Sequence, residues 1–193
     1  MARLILIRHG ESVANAEGRF TRGPHEPLSR RGREEALARA RRIQARFDPV
    51  ALYASPFVRA LETARLIGGV LGLEPIAVEE LREQDFGSLR GQPYASLRGE
   101  RQTDRWRFRP PGGETLEEVF TRVGPALDAI AERHLGVEVL VVSHGGVMAA
   151  LQGWAAGAAS GTPAIAGNCG GYLLQRSTRG YAGPFPLGDD DDA

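Results

Sequence analysis

The sequence predicts an α/β protein: a three-layer α/β/α sandwich with a mostly parallel central sheet and one antiparallel edge strand. Short continuous apolar runs such as Leu4 to Ile7 are typical of strands that are buried on both faces. Stretches with helical spacing separate these runs, which indicates right-handed crossovers between parallel strands. Ligands bind such sheets at the carboxyl ends of the strands, so those ends are the first candidates for a functional site.

The first half of the chain alternates strand and helix. After the first strand, residues Glu34 to Phe47 carry apolar side chains at helical spacing and arginines on the other face, which predicts a helix. Val50 to Ala54 is predicted as the second strand. Pro56 is predicted to start a helix that ends near Leu71, because proline is favoured in a first turn. Pro75 to Val78 is predicted as a third, short strand.

The second half continues the alternation. Thr115 and Glu118 have the spacing of a capping box, which predicts a helix from Thr115 to about His134. Val137 to Val142 is the strongest strand signal in the chain, and an alanine-rich helix follows it. Cys169 to Gln175 is predicted as the last strand.

The 193 residues suit a single domain with an insertion. We predict that domain over residues 1–188, with the insertion at about residues 92–113, which fit neither periodicity. The segment 189–193 begins with four aspartates and is predicted to be an acidic disordered tail. The arginines of the predicted insertion are Arg98, Arg101, Arg105, Arg107 and Arg109.

The composition excludes several classes of function. Twenty-four basic residues balance 24 acidic ones, and all of the basic residues are arginine. Zero net charge argues against a nucleic-acid-binding protein that works through a broad basic field. The absence of lysine excludes a Schiff-base mechanism and a Walker-type P-loop. Any bound anion must therefore be held by arginine, histidine or backbone N–H groups.

The cysteine content and the absence of recognisable targeting signals favour a cytoplasmic location. The one cysteine, Cys169, has no partner for an internal disulfide, and no Cys/His spacing resembles a zinc site. The N-terminal apolar run is too short for a signal peptide, and no stretch of about 18 apolar residues occurs. We therefore expect a cytoplasmic protein that uses no metal or cofactor and binds neither nucleic acid nor a membrane. The sequence indicates no oligomeric state.

Two of the four histidines occupy equivalent positions, each directly after a predicted strand and before a glycine. These are His9, which follows Arg8, and His144. Arg59 lies in the first turn of a predicted helix, where its charge opposes the helix dipole unless an anion is bound. A phosphate would reverse that sign, because a helix N-terminus with an arginine is an anion site.

These residues belong to an ordered series of motifs that begins with Arg8-His9-Gly10-Glu11-Ser12 and Asn15. The series resembles the signature of the histidine phosphatase superfamily, which includes the cofactor-dependent phosphoglycerate mutases. The matches keep the family's order from residue 4 to about residue 148. The later motifs are Ser55-Pro56 with Arg59-Ala60 and Thr63-Ala64, Leu81-Arg82-Glu83 with Gly87 and Gly91, Gly112-Gly113-Glu114-Thr115, and Ser143-His144-Gly145.

The resemblance implies a metal-independent phosphomonoesterase. In such an enzyme His9 would attack phosphorus and form a phosphohistidine that water then hydrolyses. Arg8, Arg59 and His144 would surround the phosphoryl oxygens and stabilise the charge that develops on them. Glu83 matches the family's glutamate that protonates the leaving alkoxide, and a nearby phosphate dianion would favour its protonated form. Further substrate-binding groups are expected at Asn15, Thr21, Arg22 and Gly145.

Other titratable groups near these motifs are interpreted as structural. We expect Glu11 to hold the turn after His9, and His134 to interact favourably with a helix C-terminus. Glu79 and Glu80 are close to Glu83 in sequence, but only Glu83 has the family's spacing from Leu81 and Gly87.

The chain departs from the mutases at positions that hold their substrate. Phe86 and Tyr94 stand where mutases carry a tyrosine and a lysine, and Gly146 replaces an asparagine. In an early loop, Arg22 and His25 replace a glycine and an aspartate. These departures favour a phosphatase of small phosphorylated metabolites. Two alternatives stay open: a phosphoglycerate mutase, in which arginines of the insertion replace the lost contacts, and a non-catalytic phosphoprotein-binding module.

Overall fold

The computed structural model describes residues 1–97, 106–155, 166–178 and 180–188. The strands are β1 (Ala2–Arg8), β2 (Pro49–Ala54), β3 (Pro75–Ala77), β4 (Glu138–Ser143), β5 (Gly171–Ser177) and β6 (Gly180–Pro186). The helices are α1 (Val13–Ala16), α2 (Arg30–Arg46), α3 (Val58–Leu71), α4 (Leu116–Arg133) and α5 (Gly145–Ala155), with short 3₁₀ turns at Glu79–Leu81, Gly87–Leu89 and Tyr94–Leu97.

The described strands form one sheet in the order β3-β2-β4-β1-β5-β6. The pairs β1–β4, β4–β2 and β2–β3 are parallel, whereas β5 runs antiparallel to β1 and β6 antiparallel to β5. The predicted α/β fold with a mostly parallel sheet and an antiparallel edge is confirmed. In the β1–β4 register Arg8 lies opposite Ser143, so His9 and His144 leave the sheet side by side.

The sheet is covered on both faces, as the continuous apolar strands predicted. Leu4 and Leu6 of β1 belong to the cluster that contains the apolar faces of α4 and α5. Ile5 and Ile7, which point to the opposite face, belong to the cluster that contains α2 and α3. All four side chains are fully buried. Two helical layers therefore enclose the sheet and leave the strand ends as the open positions.

Helix caps explain where the helices begin. The Ser29 side chain accepts the N–H of Gly32, so α2 begins at Arg30, four residues before the predicted start. Thr115 and Glu118 form the predicted capping box at the start of α4. Pro56 precedes α3 by two residues instead of starting it.

The end of the sheet differs from the prediction. Cys169 to Gln175 was predicted as the last strand, but β5 begins at Gly171 and β6 follows it as a further strand. The β6 segment contains glycines and prolines, which have low strand propensity. β6 follows β5 directly in the chain and pairs with it from Ser177 and Gly180 to Tyr172 and Pro186, so pairing with this neighbour forms the strand although its own residues do not favour one.

Part of the predicted insertion and the whole predicted tail lie outside the described residues. The structure does not describe residues 98–105, which include Arg98, Arg101 and Arg105, and it does not describe residues 189–193. Arg109 is described, and it donates to Glu118 of α4 at 2.6 Å instead of facing the strand ends. Within the described ranges, no helix combines the length and apolarity that a membrane crossing requires.

Candidate active site

His9 lies directly after β1 and is 2% exposed. Its Nδ1 is 2.7 Å from the carbonyl oxygen of Gly10, and its Nε2 is 3.1 Å from Nε of Arg59. Because Arg59 can only donate, Nε2 is the acceptor and the ring proton is on Nδ1. Burial lowers the pKa of His9 well below its ordinary value, and the charges of Arg59 and Arg8 lower it further. The ring is therefore neutral, with a lone pair on Nε2.

The loop after His9 is fixed by two contacts. The N–H of Gly10 donates to Oγ1 of Thr63 at 3.1 Å, and that hydroxyl donates to the carbonyl of Arg59 at 2.8 Å. A Cβ on Gly10 would lie 2.3 Å from the carbonyl oxygen of Gly32, so the loop and the start of α2 can approach this closely only through glycine. We did not predict a role for Thr63, although it belongs to one of the motifs.

Glu11 has the structural position that we expected. Its carboxylate accepts the Ser29 hydroxyl at 2.6 Å, and its backbone carbonyl accepts the Ser29 N–H at 2.8 Å. His134 lies at the C-terminal end of α4, where its Nε2 is 3.0 Å from the Tyr53 hydroxyl. Neither side chain lines the cavity described below.

Two arginines, Arg8 and Arg59, lie beside His9. Arg59, in the first turn of α3, is 1% exposed and donates to Thr21 Oγ1 at 3.4 Å and to the carbonyl of Gly23 at 3.3 Å. Arg8 donates to the carbonyl of Ala166, and its buried Nε has no hydrogen-bond partner in the part of the chain that the structure describes. Among the described residues, neither guanidinium contacts a carboxylate within ion-pair distance. A buried cation beside a partly buried one, with neither neutralised, favours a bound anion.

His144 follows β4 and is fully buried. Its Nε2 is 2.7 Å from Oγ of Ser55, and its ring centroid is 5.1 Å from that of His9. Burial lowers the pKa of His144 well below its ordinary value, with the charge of Arg59 adding to the effect, so this ring is neutral as well. Its Nδ1 is buried without a hydrogen-bond partner in the described part of the chain. The ring lies next to His9 but is not part of the cavity wall.

Glu83 faces His9 from the segment that follows the first 3₁₀ turn. Its Oε1 accepts the N–H of Gln84 at 2.8 Å and the N–H of Gly146, in the first turn of α5, at 2.9 Å. Arg122 of α4 holds the backbone of this segment, because it donates to the carbonyls of Arg82 and Glu83, each at 3.0 Å. We did not predict a role for Arg122, since it belongs to none of the motifs.

A cavity of about 440 Å³ opens at these strand ends. Phe20 forms an aromatic wall with Phe86 and Tyr94, at ring-centroid distances of 4.7 and 5.0 Å. The positions at which the chain departs from the mutases therefore face the cavity at Phe86, Tyr94 and Gly146. The lining residues are Arg8, His9, Ser12, Ala14, Asn15, Phe20, Thr21, Arg59, Glu83, Gln84, Phe86, Tyr94, Gly145, Gly146, Gly167 and Asn168.

Three of the four predicted substrate-binding residues reach this cavity, namely Asn15, Thr21 and Gly145. The amide Nδ2 of Asn15 donates to the Tyr94 hydroxyl at 2.9 Å. Arg22 does not reach the cavity: its side chain is exposed and lies in the space beside Gly91, which lacks a Cβ there. Gln84 and Asn168 line the cavity although we did not predict them.

The donor atoms of His9, Glu83 and His144 lie within 4.8 Å of one another, an arrangement that could hold a metal ion. The neighbouring charges of Arg8 and Arg59 oppose a cation at this place. The prediction of metal-independent chemistry stays a prediction, and chelation tests it.

Comparisons with known proteins agree with the motif series. The histidine phosphatase superfamily (branch 1) matches residues 4–180. A metal-independent phosphoserine phosphatase of Arabidopsis thaliana is 34% identical over 161 residues, which cover 78% of this chain and 67% of that protein. A 2,3-bisphosphoglycerate-dependent phosphoglycerate mutase of Methylobacterium sp. (strain 4-46) is 39% identical over 163 residues, covering 77% of each chain. A mycobacterial glucosyl-3-phosphoglycerate phosphatase, solved with VO3, superposes with a TM-score of 0.79 at 26% identity, covering 90% of each chain.

Proposed function

The chain belongs to branch 1 of the histidine phosphatase superfamily, and we propose that it hydrolyses small phosphate monoesters through a phosphohistidine on His9. The observation that carries this proposal is the state of His9: a neutral ring that lines the cavity with the lone pair of Nε2 as a hydrogen-bond acceptor, beside the buried Arg59 and the partly buried Arg8. A nucleophile needs that lone pair, and a phosphoryl group needs those cations.

Arg59 donates to the same nitrogen that attacks. When a substrate binds, a phosphoryl oxygen takes over this N–H and the lone pair of His9 becomes free. Arg8 lines the cavity, and its Nε, which has no partner within the described ranges, supplies a second donor to the phosphoryl group. Charge-assisted hydrogen bonds of this kind contribute about 1.5–3 kcal/mol each, and they strengthen as charge develops in the transition state.

In the first step, His9 Nε2 forms the N–P bond while the P–O bond to the leaving group breaks. Glu83 gives its proton to the leaving oxygen, so an alcohol departs and a phosphoryl group stays on His9. In the second step a water molecule attacks phosphorus and Glu83 takes its proton. The N–P bond then breaks, which releases inorganic phosphate and restores neutral His9 and protonated Glu83.

The number of cations favours hydrolysis of monoesters over the mutase reaction. In the part of the chain that the structure describes, Arg8 and Arg59 are the arginines that line the cavity, and both serve the phosphoryl position. A phosphoglycerate also carries a carboxylate, which needs a further donor. A mutase among the relatives keeps this alternative open, and formation of 2-phosphoglycerate from 3-phosphoglycerate with 2,3-bisphosphoglycerate as primer decides it.

The proposal is tested with p-nitrophenyl phosphate. We expect the chain to release phosphate from this ester, His9→Ala to abolish turnover, and EDTA to have no effect. Turnover that survives His9→Ala, or that EDTA removes, contradicts the proposal. If a phosphopeptide bound the wild-type chain and His9→Ala equally well, and neither turned over any ester, the non-catalytic binding module would be favoured. A screen of phosphorylated metabolites ranked by kcat/KM then identifies the substrate.

A further inference from the structure

We propose that Gly146 is a positioning residue for Glu83. Its N–H holds one carboxyl oxygen of Glu83, and its lack of a side chain leaves the space that this oxygen fills. The inference rests on the proposed function, in which Glu83 protonates the leaving group.

The hydrogen bonds to this carboxyl group are one-sided. Within the described residues they all fall on Oε1, which accepts from Gln84 at 2.8 Å and from Gly146 at 2.9 Å. The donor on Gly146 is one of the N–H groups that a first helical turn leaves without a partner inside the helix. Glu83 therefore closes the N-terminus of α5 from a segment that is distant in sequence, and the bond ties its carboxyl group to the helix that starts beside His144.

The space at Gly146 is needed as much as its N–H. A Cβ built on Gly146 would lie 2.5 Å from Glu83 Oε1 and 2.8 Å from Cβ of Gln84. Gly146 has no positive φ, so alanine is compatible with the helical backbone here. The requirement for glycine comes from Glu83 and Gln84, and the flexible end of Glu83 is the group that a new methyl displaces first.

This anchoring decides which oxygen carries the proton. Oε1 is occupied as an acceptor of two N–H groups, so a protonated Glu83 carries its hydrogen on Oε2. In the first step this hydrogen passes from Oε2 to the leaving oxygen as the P–O bond breaks, and Oε1 keeps both of its hydrogen bonds. A displaced carboxyl group weakens this transfer and leaves the phosphoryl contacts of Arg8 and Arg59 intact.

The experiment compares two esters of similar shape, phenyl phosphate and p-nitrophenyl phosphate. Phenolate is the poorer leaving group and depends more on a general acid, whose contribution is typically about 10²–10⁴-fold. We expect Gly146→Ala to lower kcat/KM for phenyl phosphate at least about tenfold more than for p-nitrophenyl phosphate. Inhibition by inorganic phosphate should stay unchanged. Gly69→Ala is the matched control, because a Cβ on that helical glycine would meet no described heavy atom within 4 Å beyond the backbone of its own helix.

A double variant distinguishes a loss of Glu83 positioning from a general loss of structure. In a Glu83→Gln background there is no acid left to position, so adding Gly146→Ala should produce no further selective loss with phenyl phosphate. Equal losses for both esters, or none in a folded Gly146→Ala variant, would overturn the inference. If Gly146→Ala does not fold, Glu83→Asp tests the same contact, because the shorter side chain withdraws the carboxyl group from the Gly146 N–H. Full phenyl phosphatase activity in Glu83→Asp would then overturn it. A wild-type chain that hydrolyses neither ester contradicts the proposed function itself.

Discussion

Arg59 donates its Nε–H to Nε2 of His9 over 3.1 Å, so a permanently charged group fixes the protonation state of its neighbour. The charge and the hydrogen bond both disfavour a second proton on the ring. The same arginine lies in the first turn of α3, where its charge opposes the helix dipole. An anion bound between Arg59 and His9 offsets both effects of the Arg59 charge: its repulsion of a proton on His9 and its opposition to the dipole of α3.

Replacing Arg59 tests this relationship. We expect Arg59→Lys to lower kcat/KM for p-nitrophenyl phosphate about 10²–10³-fold, because an ammonium group cannot keep the planar set of donors. Arg65→Lys is the matched control on the exposed side of the same helix, and its activity should equal that of the wild type. Equal activity in both variants would show that Arg59 does not contact the phosphoryl group.

The lowered pKa values of His9 and His144 predict how stability depends on pH. Below about pH 6.5 the unfolded chain binds protons that the folded rings do not take up. Stability is therefore fully present above that pH and is lost as the pH falls, by up to about 1.4 kcal/mol per pH unit for each histidine. Urea unfolding at pH 7.5 and pH 5.5 measures this loss. His9→Asn should show a smaller loss than the wild type, and an equal loss would contradict the prediction.

Thr63 is predicted to position the nucleophile. Thr63→Val keeps the shape but leaves the buried N–H of Gly10 without its acceptor, at a cost of about 1–3 kcal/mol. We expect kcat to fall together with the free energy of unfolding, because the loop after His9 loses an anchor. Thr63→Ser keeps the hydroxyl and should retain most of both quantities. If Thr63→Val matched Thr63→Ser in both measurements, the loop would not depend on this bond.

Arg122 is predicted to act on the reaction through the segment that carries Glu83. Its guanidinium also pairs with Glu114, at 3.1 and 3.0 Å. Arg122→Met removes the donors to the backbone carbonyls, so we expect a larger loss of kcat with phenyl phosphate than with p-nitrophenyl phosphate. Arg133→Met, at an exposed position of the same helix, is the control. Equal losses with the two esters would point to a purely structural role for Arg122.

Patterns that are local in sequence predicted most of the fold. The capping box of Thr115 and Glu118 and the apolar run of β4 are complete within a few residues, so each could be identified without the rest of the chain. The two histidines were identified in the same way at equivalent positions after predicted strands, and the parallel pairing of β1 with β4 brings them to one edge of the sheet.

Features that depend on distant partners were not predicted. Arg122 has a role because the segment of Glu83 folds against α4. β6 was not predicted for a different reason: β5 directly precedes it and pairs with it, but the glycines and prolines of β6 have low strand propensity. The position of Arg22 outside the cavity also depends on a distant residue. Gly91 is far away in sequence, and it leaves the space that the Arg22 side chain occupies outside the cavity.

The central claim is that His9 carries the phosphoryl group, and rapid quenching of a turnover reaction tests it most directly. The wild-type chain is mixed with an excess of phenyl phosphate labelled with ³²P, quenched in alkali within the first turnover, and digested for mass spectrometry. We predict one acid-labile, alkali-stable phosphoryl group on His9, and none in His9→Ala treated in the same way. Label on another residue, or turnover of the ester with no label on the protein at any quench time, would contradict the account.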